Sequence, residues 1–301
     1  MTNDSPVRRL PDATSLRGAL AEAERALAAA GVASPRPDAE ELAAHLLSTD
    51  RGRLWQHLDA PTPAGFGDLV QRRAGRVPLQ HITGRAYFRH LTLHVGPGVF
   101  VPRPETEVVV GHAIELLESI QSADPTRRLV AVDLGAGSGA IALSLALEVP
   151  LVDVLAVEAD PGVMPWLQRN AADSRVQVHH GDLTQSLAGV SNHVDVVVSN
   201  PPYIPREAVP RDLEVARFDP PQALYSGADG LDHIRAVEQV AHRLLRHGGY
   251  VVVEHADQQG RSAPAVFSTS AGWVDVSDHV DLVGRPRYLV ARRDRFREGS
   301  G

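Results

Sequence analysis

Two short runs in this chain carry residue types that could do chemistry on a ligand. The first is Asn200-Pro201-Pro202-Tyr203-Ile204, which follows directly on the apolar run Val194–Ser199. The side-chain oxygen of Asn200 and the carbonyl of Pro201 can together accept both hydrogens of one NH2 group. Pro201 and Pro202 stiffen the turn, so those acceptors are aimed before a ligand arrives, and Tyr203 offers a ring face to a planar group. An amide nitrogen is a poor nucleophile because its lone pair is delocalised. Two acceptors pulling on its hydrogens raise electron density on nitrogen and stabilise the charge that develops during attack. The plain alternative is a proline turn with a capping asparagine.

The second run is Asp133-Leu134-Gly135-Ala136-Gly137-Ser138-Gly139, between an apolar run and a helical pattern. Glycines there allow a tight turn and close approach to a ligand at a helix N-terminus. Gly135-x-Gly137-x-x-Ala140 also satisfies a loose dinucleotide fingerprint, so a nicotinamide cofactor has to be weighed. Asp133 favours S-adenosylmethionine, because a carboxylate just before the loop can take the methionine ammonium group. Glu158, ending the next apolar run, can bind ribose hydroxyls in either cofactor. Asp182 can hold an adenine amino group with Leu183 packed on the ring, or it can be a turn aspartate. A sulfonium donor and a held nitrogen together point to methyl transfer. No Ser–His or His–Asp pairing beside the loop suggests a general base, and the proton can leave to water.

These runs need a sheet to position them. Candidate strands are Leu129–Leu134, Val154–Glu158, Val176–His179, Val194–Ser199, Tyr250–Glu254, Val274–Val276 and Tyr288–Ala291. Ala140–Leu147, Val163–Asn170 and Leu231–Arg246 lie among them with helical spacing. Near-continuous valine and leucine runs indicate a parallel sheet buried on both faces, and the last two strands an antiparallel hairpin edge. The expected fold class is α/β, a Rossmann-like domain of the kind that S-adenosylmethionine-dependent methyl transfer would need, with a small N-terminal helical bundle. Residues 1–78 read as that bundle, with Ser15 capping a helix to Ala30 and Pro37-Asp38 opening the next. Residues 79–104 read as a hairpin connector, where Pro102 and Pro104 forbid a helix. Residues 105–292 form the catalytic domain and 293–301 a flexible tail, with fraying expected from Arg292 onward.

Composition excludes several classes. Among 301 residues there is no cysteine, which removes disulfides and thiolate chemistry, and all 30 basic residues are arginine. Net charge is −7, and in residues 1–78 arginines and acids balance, which argues against a nucleic-acid partner. No apolar run is long enough to span a membrane and no secretory leader is visible, so a cytoplasmic location is expected; a monomer is expected separately, with no sequence feature that decides it. His179-His180 beside Asp182 resembles part of a metal site, but adjacent strand residues face opposite ways and no metal is expected. Glu254-His255 is read as a strand end that shapes the pocket.

The chain resembles the HemK/PrmC family of protein-(glutamine-N5) methyltransferases that act on peptide chain release factors. Val101-Pro102-Arg103-Pro104-Glu105-Thr106-Glu107, Asp133–Gly139, Asn200–Ile204 and Phe218-Asp219-Pro220-Pro221 carry the resemblance. Weaker support comes from Glu254-His255, Gln258-Gln259-Gly260 and Gly284-Arg285. The resemblance implies that Gly135 to Gly139, Glu158, Leu183 and Asn200 contact S-adenosylmethionine. It further implies that Asn200 to Tyr203 hold a glutamine of a Gly-Gly-Gln loop, with Phe100 and Arg103 lining the mouth. An ion pair of Arg103 with Glu105 or Glu107 is the structural alternative. Competing substrates are a glutamine of a ribosomal protein and an exocyclic amine of a flipped base; a binding module that merely keeps the fold is the non-catalytic reading.

Overall fold

The computed structural model describes residues 15–182, 187–210 and 212–294. The chain divides into two compact units, Met1–Arg85 with Arg211–Phe218, and Ala86–Pro210 with Asp219–Gly301. In the first unit Ser15 caps α1 (Leu16–Ala29), its Oγ accepting from the Gly18 N–H at 3.4 Å. Leu16, Leu20, Ala23 and Leu27 bury one stripe of that helix, as a 3.6-residue period requires. α2 (Pro35–Leu46) begins two residues before Pro37, because Pro35 also fits a first helical turn. A 3₁₀ turn (Arg51–His57), α3 (Phe66–Ala74) and α4 (Leu79–Thr83) follow. α4 lies where a connector was expected. Its Ile82 packs with Leu27, Leu42 and Phe66 in the core of the helical unit, so the connector proper starts later than Leu79.

The second unit opens with a two-stranded hairpin, β1 (Arg85–Phe88) and β2 (Leu91–His94). α5 (Pro104–Ala123) follows. Pro102 does keep the approach extended, but Pro104 is the first residue of a long helix. Its missing N–H is one of the orphans of a first turn, and the expectation of no helix here is thereby corrected. Then come β3 (Leu129–Leu134), α6 (Ala140–Glu148), β4 (Val152–Glu158), α7 (Met164–Ala171), β5 (Gln177–His180) and β6 (Val194–Ser199). After α8 (Leu213–Phe218), which belongs to the helical unit, α9 (Asp232–Leu244), β7 (Leu245–Glu254), α10 (Ser262–Ser268), β8 (Trp273–Val280) and β9 (Pro286–Arg293) complete the order. α8 and α10 had no counterpart in the sequence reading.

The sheet runs β5-β4-β3-β6-β7-β9-β8. β5, β4, β3, β6 and β7 are mutually parallel, and β9 is antiparallel to both neighbours. α5, α6 and α7 cover one face, against Ala131, Val154, Val196 and Val252. α9 and α10 cover the other, against Val132, Val157, Val197, Val251 and Val253. Both faces are buried, which is why these strands read as unbroken apolar runs. Strand order reverses between β3 and β6, so a crevice opens beyond their C-terminal ends. At the far end, Arg292 and Arg293 belong to β9 rather than to a frayed tail. Arg293 is buried and donates to the Leu245 carbonyl and Asn192 Oδ1; residues 295–301 lie outside the described residues. Among the described residues no helix is long and apolar enough to cross a membrane, and no group of three or more His, Asp or Glu could hold a metal.

The helical unit contains a buried ion cluster. Arg73, 6% exposed, donates to Asp38 at 2.6 Å, to Glu214 of α8 at 2.8 Å and to the Val77 carbonyl at 3.1 Å. Glu214 also accepts from Arg76 at 3.0 Å. Removing one partner of such a pair strands the other charge away from water. Arg73→Ala is expected to cost about 3 kcal/mol or more. Asp38→Ala should cost less, since Glu214 still neutralises the guanidinium. Urea unfolding of the full chain checks this, and equal small losses in both variants would contradict it.

Candidate active site

The parallel register of β3 and β6 pairs Asp133 with Val198 and so brings the two strands to an end at the same level, where Ser199 Oγ donates to the Leu134 carbonyl at 2.6 Å. That pairing places Asn200 beside the glycine loop, at the reversal of strand order. The loop after Asn200 is not left to wander. The Ile204 N–H donates to the Leu224 carbonyl and the Ser226 N–H to the Ile204 carbonyl, each at 2.8 Å. Gln259 Nε2 donates to the Tyr203 carbonyl at 3.1 Å. Gly230, at φ +78°, sits so close that a Cβ there would lie 2.3 Å from the same carbonyl.

Side chains brace the loop from below. Asn200 Nδ2 donates to Thr106 Oγ1 at 3.2 Å, Thr106 Oγ1 donates to Glu254 Oε2 at 2.7 Å, and Tyr203 Oη donates to Glu254 Oε1 at 3.3 Å. Glu254 is 1% exposed. Burial pushes its carboxyl up to about 7, against the opposing pull of Thr106, Arg287 and Tyr203. The Tyr203 phenol is also raised, by burial and by the charge of Glu254.

Arg103 donates to Asp219 Oδ2 at 2.5 Å, and its guanidinium lies 4.9 Å from the centre of the Phe100 ring. The ion pair is therefore with Asp219, not with Glu105 or Glu107 as the structural alternative had it. Both acids lie in the first turn of α5, and Glu107 accepts instead from the Arg89 N–H at 3.1 Å. Phe100 and Arg103 therefore form one stacked pair, with Asp219 holding the guanidinium.

On the glycine-loop side, the Gly135 and Ala136 N–H groups both donate to the Val157 carbonyl at 2.9 Å, tying the loop to β4. Around Gly135 and Gly137 a Cβ would meet nothing within 4 Å, so the backbone there borders open space, while Ser138 and Gly139 lead into α6. Asp133 is 0% exposed. Its Oδ2 accepts from the Ala142 N–H at 3.0 Å, holding the first turn of α6, and its buried Oδ1 has no hydrogen-bond partner among the described residues. Burial, reinforced by the charge of Glu158, pushes Asp133 up to about 7. Glu158 accepts from the N–H groups of Gly137 at 2.9 Å and Asp160 at 2.8 Å. Each of its oxygens keeps a second lone pair for a hydroxyl. Asp182 is exposed after β5 and acts electrostatically on His233; Leu183 lies outside the described residues. A buried acid with one orphaned oxygen, an open glycine turn and a strand-end glutamate suit the ammonium, backbone and ribose of S-adenosylmethionine.

Thr106, Gln259, Gly230 and Asp219 are site residues whose roles the sequence did not assign, and Glu254 was read only as a strand end that shapes the pocket. One cue was available for Glu254: a carboxylate ending Val251-Val252-Val253 occupies the same sheet edge as Asp133, Glu158 and Asn200. The others depend on long-range contacts. Gly230→Ala is expected to cost clearly more than Gly248→Ala, although both glycines have φ near +80°. The left-handed backbone alone costs about 1–2 kcal/mol, and only at Gly230 does the new methyl group strike the Tyr203 carbonyl, whereas Gly248 faces open space. Urea unfolding midpoints measure the difference, and equal costs would remove the loop contact from the account.

Comparison with known proteins places the chain in a family. The profile of the PrmC N-terminal domain matches residues 18–84, and that of the methyltransferase small domain matches residues 90–217. The release factor glutamine methyltransferase of Streptomyces coelicolor is 53% identical over 91% of this chain and 96% of its own length. The enzyme of the same name from Mycobacterium tuberculosis is 44% identical over 93% of this chain and 92% of its own. A 4-amino-L-phenylalanine/4-methylamino-L-phenylalanine methyltransferase of Streptomyces pristinaespiralis is 40% identical over 88% and 91%. A solved protein-(glutamine-N5) methyltransferase (release factor-specific) from Alicyclobacillus acidocaldarius is 28% identical, with a TM-score of 0.39, covering 67% of this chain and 99% of that one. The chain belongs to the release factor glutamine methyltransferase family of S-adenosylmethionine-dependent enzymes.

Proposed function

We propose that this chain methylates the side-chain amide nitrogen of a glutamine, within a Gly-Gly-Gln loop, in peptide chain release factors. The observation that carries this reading is Asn200-Pro201 fixed at the end of β6, beside the glycine loop, on a braced turn. Asn200 Oδ1 and the Pro201 carbonyl accept the two amide hydrogens, which raises electron density on the nitrogen. Pro202 and Tyr203 bound the planar group, and Phe100 with Arg103 lines the mouth. Asp133, Gly135, Ala136, Gly137, Ser138, Gly139, Glu158, Asp182, Leu183 and Asn200 hold the cofactor. When bound, S-adenosylmethionine supplies a methyl group already activated by its sulfonium. The residues of the chain therefore orient the acceptor rather than strip it of a proton. The Tyr203 phenol, raised above its ordinary value, keeps its own proton. The proton of the methylated amide leaves to water. The protein is expected to work as a cytoplasmic monomer.

Labelled S-adenosylmethionine, offered separately with release factors, ribosomal proteins, DNA and 4-amino-L-phenylalanine, tests the substrate. Label is expected in release factors; label confined to any other acceptor would refute the reading. Asn200→Ala should lower transfer by about a hundredfold while cofactor affinity changes far less. Near-normal turnover in that variant would refute the proposed role of the amide.

A further inference from the structure

We infer that Thr106 and Glu254 are positioning residues that fix which end of the Asn200 side chain faces the substrate. The inference rests on the proposed amide chemistry and concerns how its acceptor is aimed. A hydroxyl has one hydrogen to give. Thr106 gives its hydrogen to Glu254 Oε2 at 2.7 Å, so towards Asn200 its oxygen can only accept. The group of Asn200 that meets it, at 3.2 Å, must then be the NH2, Nδ2. With Nδ2 held there, Oδ1 is turned to the opposite side as the acceptor that an amide substrate needs. A carboxylic acid in place of the carboxylate can donate its proton to Thr106. The Thr106 hydrogen is then released towards Asn200, the amide is favoured with Oδ1 inward, and an NH2 faces the substrate. Two donors would then oppose each other. The polarity of the relay is thus set by a carboxylate 148 positions away in sequence from the threonine.

Facing Glu254, α5 contributes Thr106 and Glu105, the catalytic loop Tyr203, and β9 Arg287. The adjacent His255 turns away to Asp278, at 2.9 Å. Burial and Glu105 raise the carboxyl, while Thr106, Arg287 and Tyr203 lower it, leaving it at about 7. The ionised form, which aims Asn200 correctly, therefore predominates only above neutrality.

The test compares wild type, T106S, T106V and E254Q at saturating cofactor, measuring kcat and KM for whole release factor across neutral pH, with cofactor affinity determined separately. Burial also pushes the Asp133 carboxyl up to about 7, but it lies on the cofactor side, so saturation confines its effect to affinity. T106V, close in shape but without the hydroxyl, should lose about a hundredfold in kcat with KM and cofactor affinity little changed. T106S should restore most of the rate. Wild-type kcat should climb as pH rises through about 7, whereas E254Q, which can still accept from Thr106 through its amide oxygen, should keep a partial rate that ignores pH. Infrared titration of the protein alone should show protonated-carboxyl absorption growing below about 7, part of which E254Q removes. Unchanged kcat in T106V, T106S as slow as T106V, a pH limb that survives in E254Q, or no E254Q-sensitive band would each overturn the inference. Absence of wild-type transfer to release factor would refute the substrate reading instead, and the infrared titration would still report on Glu254.

Discussion

A carboxylate at the C-terminal end of β7, shut away from water, accepts hydrogen bonds from a helix on one side and from the catalytic loop on the other. Taking a charge out of water costs several kcal/mol after relaxation. Glu254 registers that cost as a carboxyl raised to about 7. The sign has a consequence for stability. A group raised above its unfolded value contributes stability fully below that unfolded value, and the contribution is lost as pH rises through the folded one. The ionised state that accepts from both Thr106 and Tyr203 is therefore the less stable one. Retaining it makes sense where function asks for a strained polar group in place of an apolar one.

The remaining architecture supplies that carboxylate with something to hold. Parallel pairing of β3, β6 and β7 brings Asp133, Asn200 and Glu254 to one edge. Ser199 ties the ends of β6 and β3 together, and α5 delivers Thr106 from its first turn. Beyond the tetrapeptide, Gln259 and Gly230 grip the Tyr203 carbonyl from the segments after β7 and before α9. The acceptors are held by hydrogen bonds on several sides, which suits a reaction whose cofactor is already activated and whose nucleophile only has to be aimed.

Much of this was legible in the sequence. Valine and leucine runs announced a parallel sheet because both its faces are covered, and the glycine loop and Asn200–Tyr203 stood where such a sheet binds ligands. What stayed hidden follows from two physical facts. A proline pair can block a helix or begin one, and only the packing of Val109, Val110, Ala113 and Leu117 decides for α5. Side-chain partners far apart in sequence leave no local trace: Arg103 finds Asp219 at a separation of 116 residues, not the neighbouring glutamates. Phe218–Pro221 and Gln258–Gly260 entered only through family resemblance. Asp219 and Gln259 now have physical reasons for being there.

The most direct test of the central claim is to locate the methyl group. After incubation of release factor with the enzyme and S-adenosylmethionine, fragmentation mass spectrometry of the peptide containing the Gly-Gly-Gln loop should place one added methyl group on the glutamine side-chain nitrogen. A methyl group on a carboxylate, an arginine or the peptide backbone, or an unmodified glutamine beside a labelled product elsewhere, would contradict an active site built to hold a primary amide.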